Sequence, residues 1–81
     1  MTITLERPKT TISRKACSKA KHYGDINKGL WTKQFKIGDR ASAQTSAETD
    51  AQLEARIAGK SDEEIRELVR KLEAARIGMV I

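Results

Sequence analysis

An 81-residue chain with 38% hydrophobic residues and one each of Trp, Tyr and Phe has room for one small domain, residues 1–81, whose thin core gains from a partner or ligand. The single cysteine, Cys17, excludes an internal disulfide, and no apolar run approaches the roughly 18 residues of a membrane-crossing helix. The net charge of +5 is uneven: residues 1–40 hold ten Lys/Arg and three acids, residues 41–81 six and eight, so the first half suits a polyanion and the second suits structure or pairing.

The opening stretch MTITLERPKT lacks the apolar centre of a secretory signal, which predicts a cytoplasmic protein. Within it TITL, residues 2–5, alternates and predicts a short strand. Pro8 suits the first turn of a helix. The β-branched Thr10, Thr11 and Ile12 make that helix a poor one, with a narrow apolar stripe of Ile12 and Ala16. Ser18 predicts an N-cap. The helix after it places Tyr23, Ile26 and Leu30 on one apolar face, with Lys19, Lys21, His22 and Lys28 off that face. Gly24 interrupts this helix at up to about 1 kcal/mol, and Gly29 ends it.

Residues 33–37 alternate and predict a half-buried strand. Gly38-Asp39 signals a hairpin turn, and RASAQ returns, giving a hairpin over 33–44. Ser46 is expected to cap a helix over 46–58 that Gly59 ends. Ser61 with Glu64 forms a capping box, and Asp62 and Glu63 favour the same helix start. The helix over 62–77 carries Ile65, Leu68, Val69 and Leu72 on one face and a Glu67–Lys71 pair, and stops near Gly78. The tail MVI is apolar and is expected either to pack back or to fray. The predicted fold is mostly α with a small β-hairpin wing, in the order helix, helix, hairpin, helix, helix.

Catalysis is not expected. Cys17 and His22, five positions apart, point in different directions on a helix, lack a third partner, and have no second ligand pair to complete a metal site. No cofactor is expected. Double-stranded DNA fits better. Helices over 8–30 with a cap between them make a helix-turn-helix, whose second helix presents Ser18, Lys19, Lys21 and His22 to base edges. The hairpin then acts as a wing, with Lys33, Lys36 and Arg40 on the backbone or the adjacent minor groove. In this reading Trp31, Phe35 and Ile37 hold the wing on the helices.

The stretch SKAKHYGDINKGLWTKQFKIGDRASA resembles the AlpA family of prophage-type transcriptional regulators, related to excisionase-like and MerR-like winged helices. The family's S-R-S-T-x-Y helix start is met by Ser18, Lys19, Ala20, Lys21, His22 and Tyr23. Its G-x-F-P-x-P-V-K-I-G-x-R-A-V-x-W run is met by Gly29, Trp31, Lys36, Ile37, Gly38, Arg40 and Ala41. The likeness covers about residues 14–76. It implies a winged helix-turn-helix, DNA contacts from Ser18, Lys19, Lys21, His22, Tyr23, Lys28, Lys33, Lys36 and Arg40, and control of a promoter or of element excision. It also implies a nucleoid-associated protein that works with a polymerase or recombinase. Three positions depart from the family pattern: Gly24 replaces a polar residue, Gln44 replaces a Trp that closes the wing, and Thr49 replaces an Ile or Val. Loss of two apolar anchors predicts several kcal/mol of destabilisation unless something compensates, and with it a protein weakly folded alone, a homodimer or a degenerate member. The Ile65, Leu68, Val69 and Leu72 stripe is expected to pack onto the domain's own core ahead of forming a homodimer. The alternative function is a small protein-interaction module, an antitoxin or adaptor, working through the same C-terminal amphipathic helix.

Overall fold

The computed structural model describes residues 3–79. In chain order it has β1 (Leu5–Glu6), α1 (Pro8–Lys15), α2 (Lys19–Asn27), β2 (Phe35–Gly38), β3 (Ala41–Thr45), α3 (Ser46–Ile57) and α4 (Asp62–Met79). The fold is mostly helical with a small antiparallel sheet of order β1-β3-β2. The early strand thus falls at Leu5–Glu6, later than expected. It pairs with the far strand of the hairpin, Leu5 opposite Thr45 and Glu6 opposite Gln44. Residues 80 and 81 of the apolar tail lie outside the described residues.

Each helix start has a local cause. Pro8 opens α1, and Ser18 caps α2 by accepting from the Lys21 N–H at 3.1 Å. Thr45, not Ser46, caps α3: its hydroxyl accepts from the Glu48 N–H while the Glu48 carboxylate accepts from the Thr45 N–H. Ser61 and Glu64 make the same reciprocal pair at α4. This helix runs to Met79, past the expected stop at Gly78. Its exposed pair is Glu67–Arg70 rather than Glu67–Lys71.

Three helices end on a left-handed residue. Gly29 and Gly59 both have φ +74°, and the next N–H bonds back, from Leu30 to Asp25 O and from Lys60 to Ala55 O. α1 uses the same device with Ala16, at φ 53°, where the Cβ is a penalty. Ala16→Gly is therefore expected to raise the unfolding free energy by about 0.5–1 kcal/mol, net of the extra freedom glycine gives the unfolded chain. A higher urea midpoint at unchanged slope is the expected reading.

Among the described residues the apolar core is Leu30, Ile65 and Val69, with Ala55 against them. Ile65 and Val69 are 2% and 4% exposed, and Leu68 and Leu72 are half-buried, so the stripe packs mainly onto the domain's own core, leaving little of it for a dimer. Around Trp31 and Ala43 the interior is polar instead. Glu6, Thr11, His22, Asp25, Thr32, Gln44, Glu48, Thr49 and Gln52 are all buried. Among the described residues, no buried side-chain nitrogen or oxygen lacks a partner.

One chain of bonds runs through this interior. The Trp31 indole N–H donates to Gln44 Oε1 at 2.9 Å. The Gln44 amide donates to Thr49 Oγ1 at 2.9 Å, and Thr49 donates to Glu6 Oε1 at 2.7 Å. Gln44 and Thr49 are therefore not lost anchors: each bonds on both sides, and the destabilisation expected from them is offset. Gln52 makes a second bridge, accepting from the Thr32 N–H and donating to Thr32 Oγ1 and Glu48 O.

Two apolar assignments change. The buried face of α2 carries His22 and Asp25, while Tyr23 is 37% exposed, because Lys15 of α1 makes a polar face worth burying. Ile37 is 46% exposed and does not anchor the wing. The pairing shifts by one residue between Lys36 and Gly38, and that bulge turns Ile37 outward. The hairpin turn falls on Asp39-Arg40, one residue after the expected place. In α1 the buried residue is Thr11, with Ala16 exposed.

Candidate nucleic-acid interface

The connection from α1 to α2 is three residues, Ala16 to Ser18, the length of a helix-turn-helix turn. One charged cluster fixes α2 on α1. The Lys15 side chain is 7% exposed, and its Nζ lies 3.1 Å from Asp25 Oδ2, 3.1 Å from His22 Nδ1 and 4.1 Å from the centre of the Trp31 ring. Asp25 Oδ1 accepts from Lys21 Nζ at 2.8 Å. An ammonium has no lone pair, so His22 Nδ1 accepts and the ring proton sits on Nε2. The Gln34 amide nitrogen lies 3.2 Å from Nε2; with the ring proton on Nε2, the amide is assigned turned over so that its oxygen accepts there.

The protonation states follow from this packing. Burial first, then the Lys15 charge, push the His22 pKa from 6.5 down to about 4, against the smaller opposing pull of Asp25. Burial also lowers the Lys15 pKa, with the contacts to Asp25 opposing it. Burial alone raises the Asp25 carboxyl. The hydrogen bonds and charges of Lys21 and Lys15 outweigh that and hold it below the ordinary carboxylate value.

The root of the β2–β3 hairpin is gripped from α3 and α4. Glu48, 1% exposed, takes Arg76 in a two-pronged pair, Nε at 2.6 Å and Nη2 at 3.0 Å. The same guanidinium lies 5.2 Å from the centre of the Phe35 ring at the start of β2. Glu73 accepts from the Lys33 N–H at 2.7 Å, and Arg66 donates to Lys28 O at 3.0 Å.

Against this frame the expected contact residues divide. Lys19, Lys33, Lys36 and Arg40 are exposed and in no ion pair among the described residues. Ser18 is exposed, but its hydroxyl already caps α2. Lys21 is 58% exposed and pairs with Asp25. Tyr23 is exposed, its ring edge-on to His22 at 5.1 Å. Lys28 is exposed at the far end of α2, about 13 Å along the axis from Lys19, beside α4. His22 is the correction: at 0% exposure it is an internal bracket and not a surface contact.

The outward side of α2 is the row Lys19, Tyr23 and Asn27, flanked by Ala20 and Gly24. Ala20, Gly24 and Asn27 lie outside the expected contacts, because the α2 pattern by itself places His22 on the outward side. The Lys21–Asp25 spacing is legible on α2 alone, but the Lys15 that draws this side inward comes from α1.

Comparison with protein families, curated proteins and solved structures returns no match. Among the described residues, no helix is long and apolar enough to cross a membrane, and no group of three or more His, Cys, Asp or Glu is placed to hold a metal ion.

Proposed function

We propose that the basic half binds double-stranded DNA as a winged helix-turn-helix, with α2 in the major groove and the β2–β3 hairpin on the backbone. The protein then acts as a transcriptional regulator or excisionase-like accessory factor of a phage or mobile element, the role its resemblance to AlpA-type regulators suggests. One observation supports this most. Of the three acids in the basic half, Glu6 and Asp25 are turned inward with side chains 4% exposed, and Asp39 is the one acid left outside. Of the ten cations, Lys15 is drawn inside and Arg14 and Lys21 are paired with acids, while the other seven stay outside: Arg7, Lys9, Lys19, Lys28, Lys33, Lys36 and Arg40. Such a surface is repelled by acids and attracts a polyanion.

The test is fluorescence anisotropy with random and source-genome duplexes across a salt series. Binding is expected to weaken linearly in log affinity against log salt. Lys36→Ala and Arg40→Ala are each expected to reduce that slope by about 1 while leaving sequence preference unchanged, the signature of a phosphate contact. A folded wild-type protein that binds no duplex, or binds without salt dependence, overturns this reading.

A further inference from the structure

The outward side of α2 holds a residue with no internal explanation. Gly24 sits mid-helix, where glycine costs about 1 kcal/mol against alanine. Its φ is not positive, and a Cβ there would meet nothing within 4 Å. Neither a turn nor packing inside the chain requires it. Glycine also serves where an outside backbone or base must come close.

The residues around it have matching chemistry. Lys19, Tyr23 and Asn27 form a single row at four-residue spacing, about 12 Å long, comparable to the width of the major groove. The Tyr23 ring is braced by His22 from behind, so its hydroxyl is presented from a fixed position. Asp25, the only acid of α2, points the other way into Lys15 and Lys21. No carboxylate on this face opposes a polyanion.

We propose that this row is the base-reading edge of the protein, with Asn27 taking an adenine through its amide, Tyr23 and Lys19 in the same groove, and Gly24 the point of closest approach. An asparagine amide matches the N6 donor and N7 acceptor of adenine, and the Ala20 methyl suits the methyl of a thymine beside it. The inference rests on duplex DNA binding by α2 and the wing, and it deepens that reading. The wing supplies sequence-independent affinity, and this row supplies selection.

The experiment selects preferred sites from a randomised duplex library with the wild-type protein. It then measures wild type, Asn27→Ala and Gly24→Gln on the selected duplex and on a scrambled one. Asn27→Ala is expected to lose about tenfold or more on the selected duplex, the scale of one base contact, with scrambled-duplex affinity unchanged. Gly24→Gln is expected to melt higher than wild type, since glutamine is the better helix former, and still bind the selected duplex about tenfold or more weakly. The higher melting temperature excludes unfolding as the cause. Two variants that keep the wild-type preference on a duplex the wild type selects would overturn the base-reading row while leaving DNA binding intact. A folded wild type that binds no duplex would overturn both readings.

Discussion

Glu6→Ala is expected to lower the unfolding free energy by about 3–5 kcal/mol, the scale of removing one partner from a buried charged pair. A domain of this size holds roughly 4–12 kcal/mol in total, so the loss is a large fraction of its stability. Glu6 lies on the two-residue strand β1, yet its carboxylate accepts from four side chains. Thr11 and Thr49 reach Oε1 at 2.8 and 2.7 Å, while Arg14 and Ser46 reach Oε2. One residue therefore ties β1, α1 and α3 together. Truncation leaves the buried Thr49 hydroxyl without its acceptor and Thr11 with only a long bond to Arg7 O, and it strands one side of Arg14, whose other side holds Asp50. Arg14 is 32% exposed, so Arg14→Ala is expected to cost far less than removing Glu6. Thr49→Val separates the two views of this core. As an apolar anchor it would stabilise. As a link between Gln44 and Glu6 it breaks two buried bonds and is expected to destabilise by about 1–3 kcal/mol. Urea midpoints of the three variants at unchanged slope decide the matter, and a Glu6→Ala loss under about 1 kcal/mol would refute the carboxylate's central role.

The parts readable from sequence were those whose cause is local. Ser18 and the Ser61/Glu64 box are written within four residues, and both occur as expected. The α3 start was also readable. Thr45 and Glu48 have the capping-box spacing, one residue before the expected cap at Ser46. The interior was not readable, because its residues are polar and their partners are distant. Gln44 makes sense only with Trp31, Thr49 only with Glu6, and Gln52 only with Thr32, 13, 43 and 20 positions apart. Hydropathy counts each of these as a surface residue and cannot pair them. The same limit inverted α2, where a histidine and an aspartate are buried because Lys15 from another helix meets them. For the candidate interface, the cations could be listed from composition. Which side of α2 faces out could not, and that depended on the one pairing that a single-helix pattern does not contain.

That pairing gives the second large expectation, an acid transition that begins early. His22 is the sole histidine, it is fully buried, and its pKa is lowered from 6.5 to about 4. The folded state therefore resists a proton that the unfolded chain accepts. Above pH 6.5 neither state is protonated at His22 and the full stability is present. Between pH 6.5 and about 4 the unfolded state alone binds the proton, and stability falls with each unit, to a total of about 3 kcal/mol. Below that the loss through His22 is complete. Glu6 and Asp25 then contribute their own, since burial raises each carboxyl but hydrogen bonds and cations hold both below the ordinary value. Their stabilisation is present above the unfolded carboxylate range and is lost as pH falls through the folded one. Unfolding free energies measured from pH 7.5 to 4 should stay level to about pH 6.5 and decline steadily below it, instead of staying level to pH 5. The imidazole resonance of the single histidine reads the site directly. A midpoint near 4 places the ring behind Lys15 and Trp31, whereas a midpoint near 6.5 would mean that His22 is in solvent and that α2 is turned the other way. The same titration bears on function, because an α2 turned the other way would bury the row of Lys19, Tyr23 and Asn27 and take the proposed reading edge off the surface.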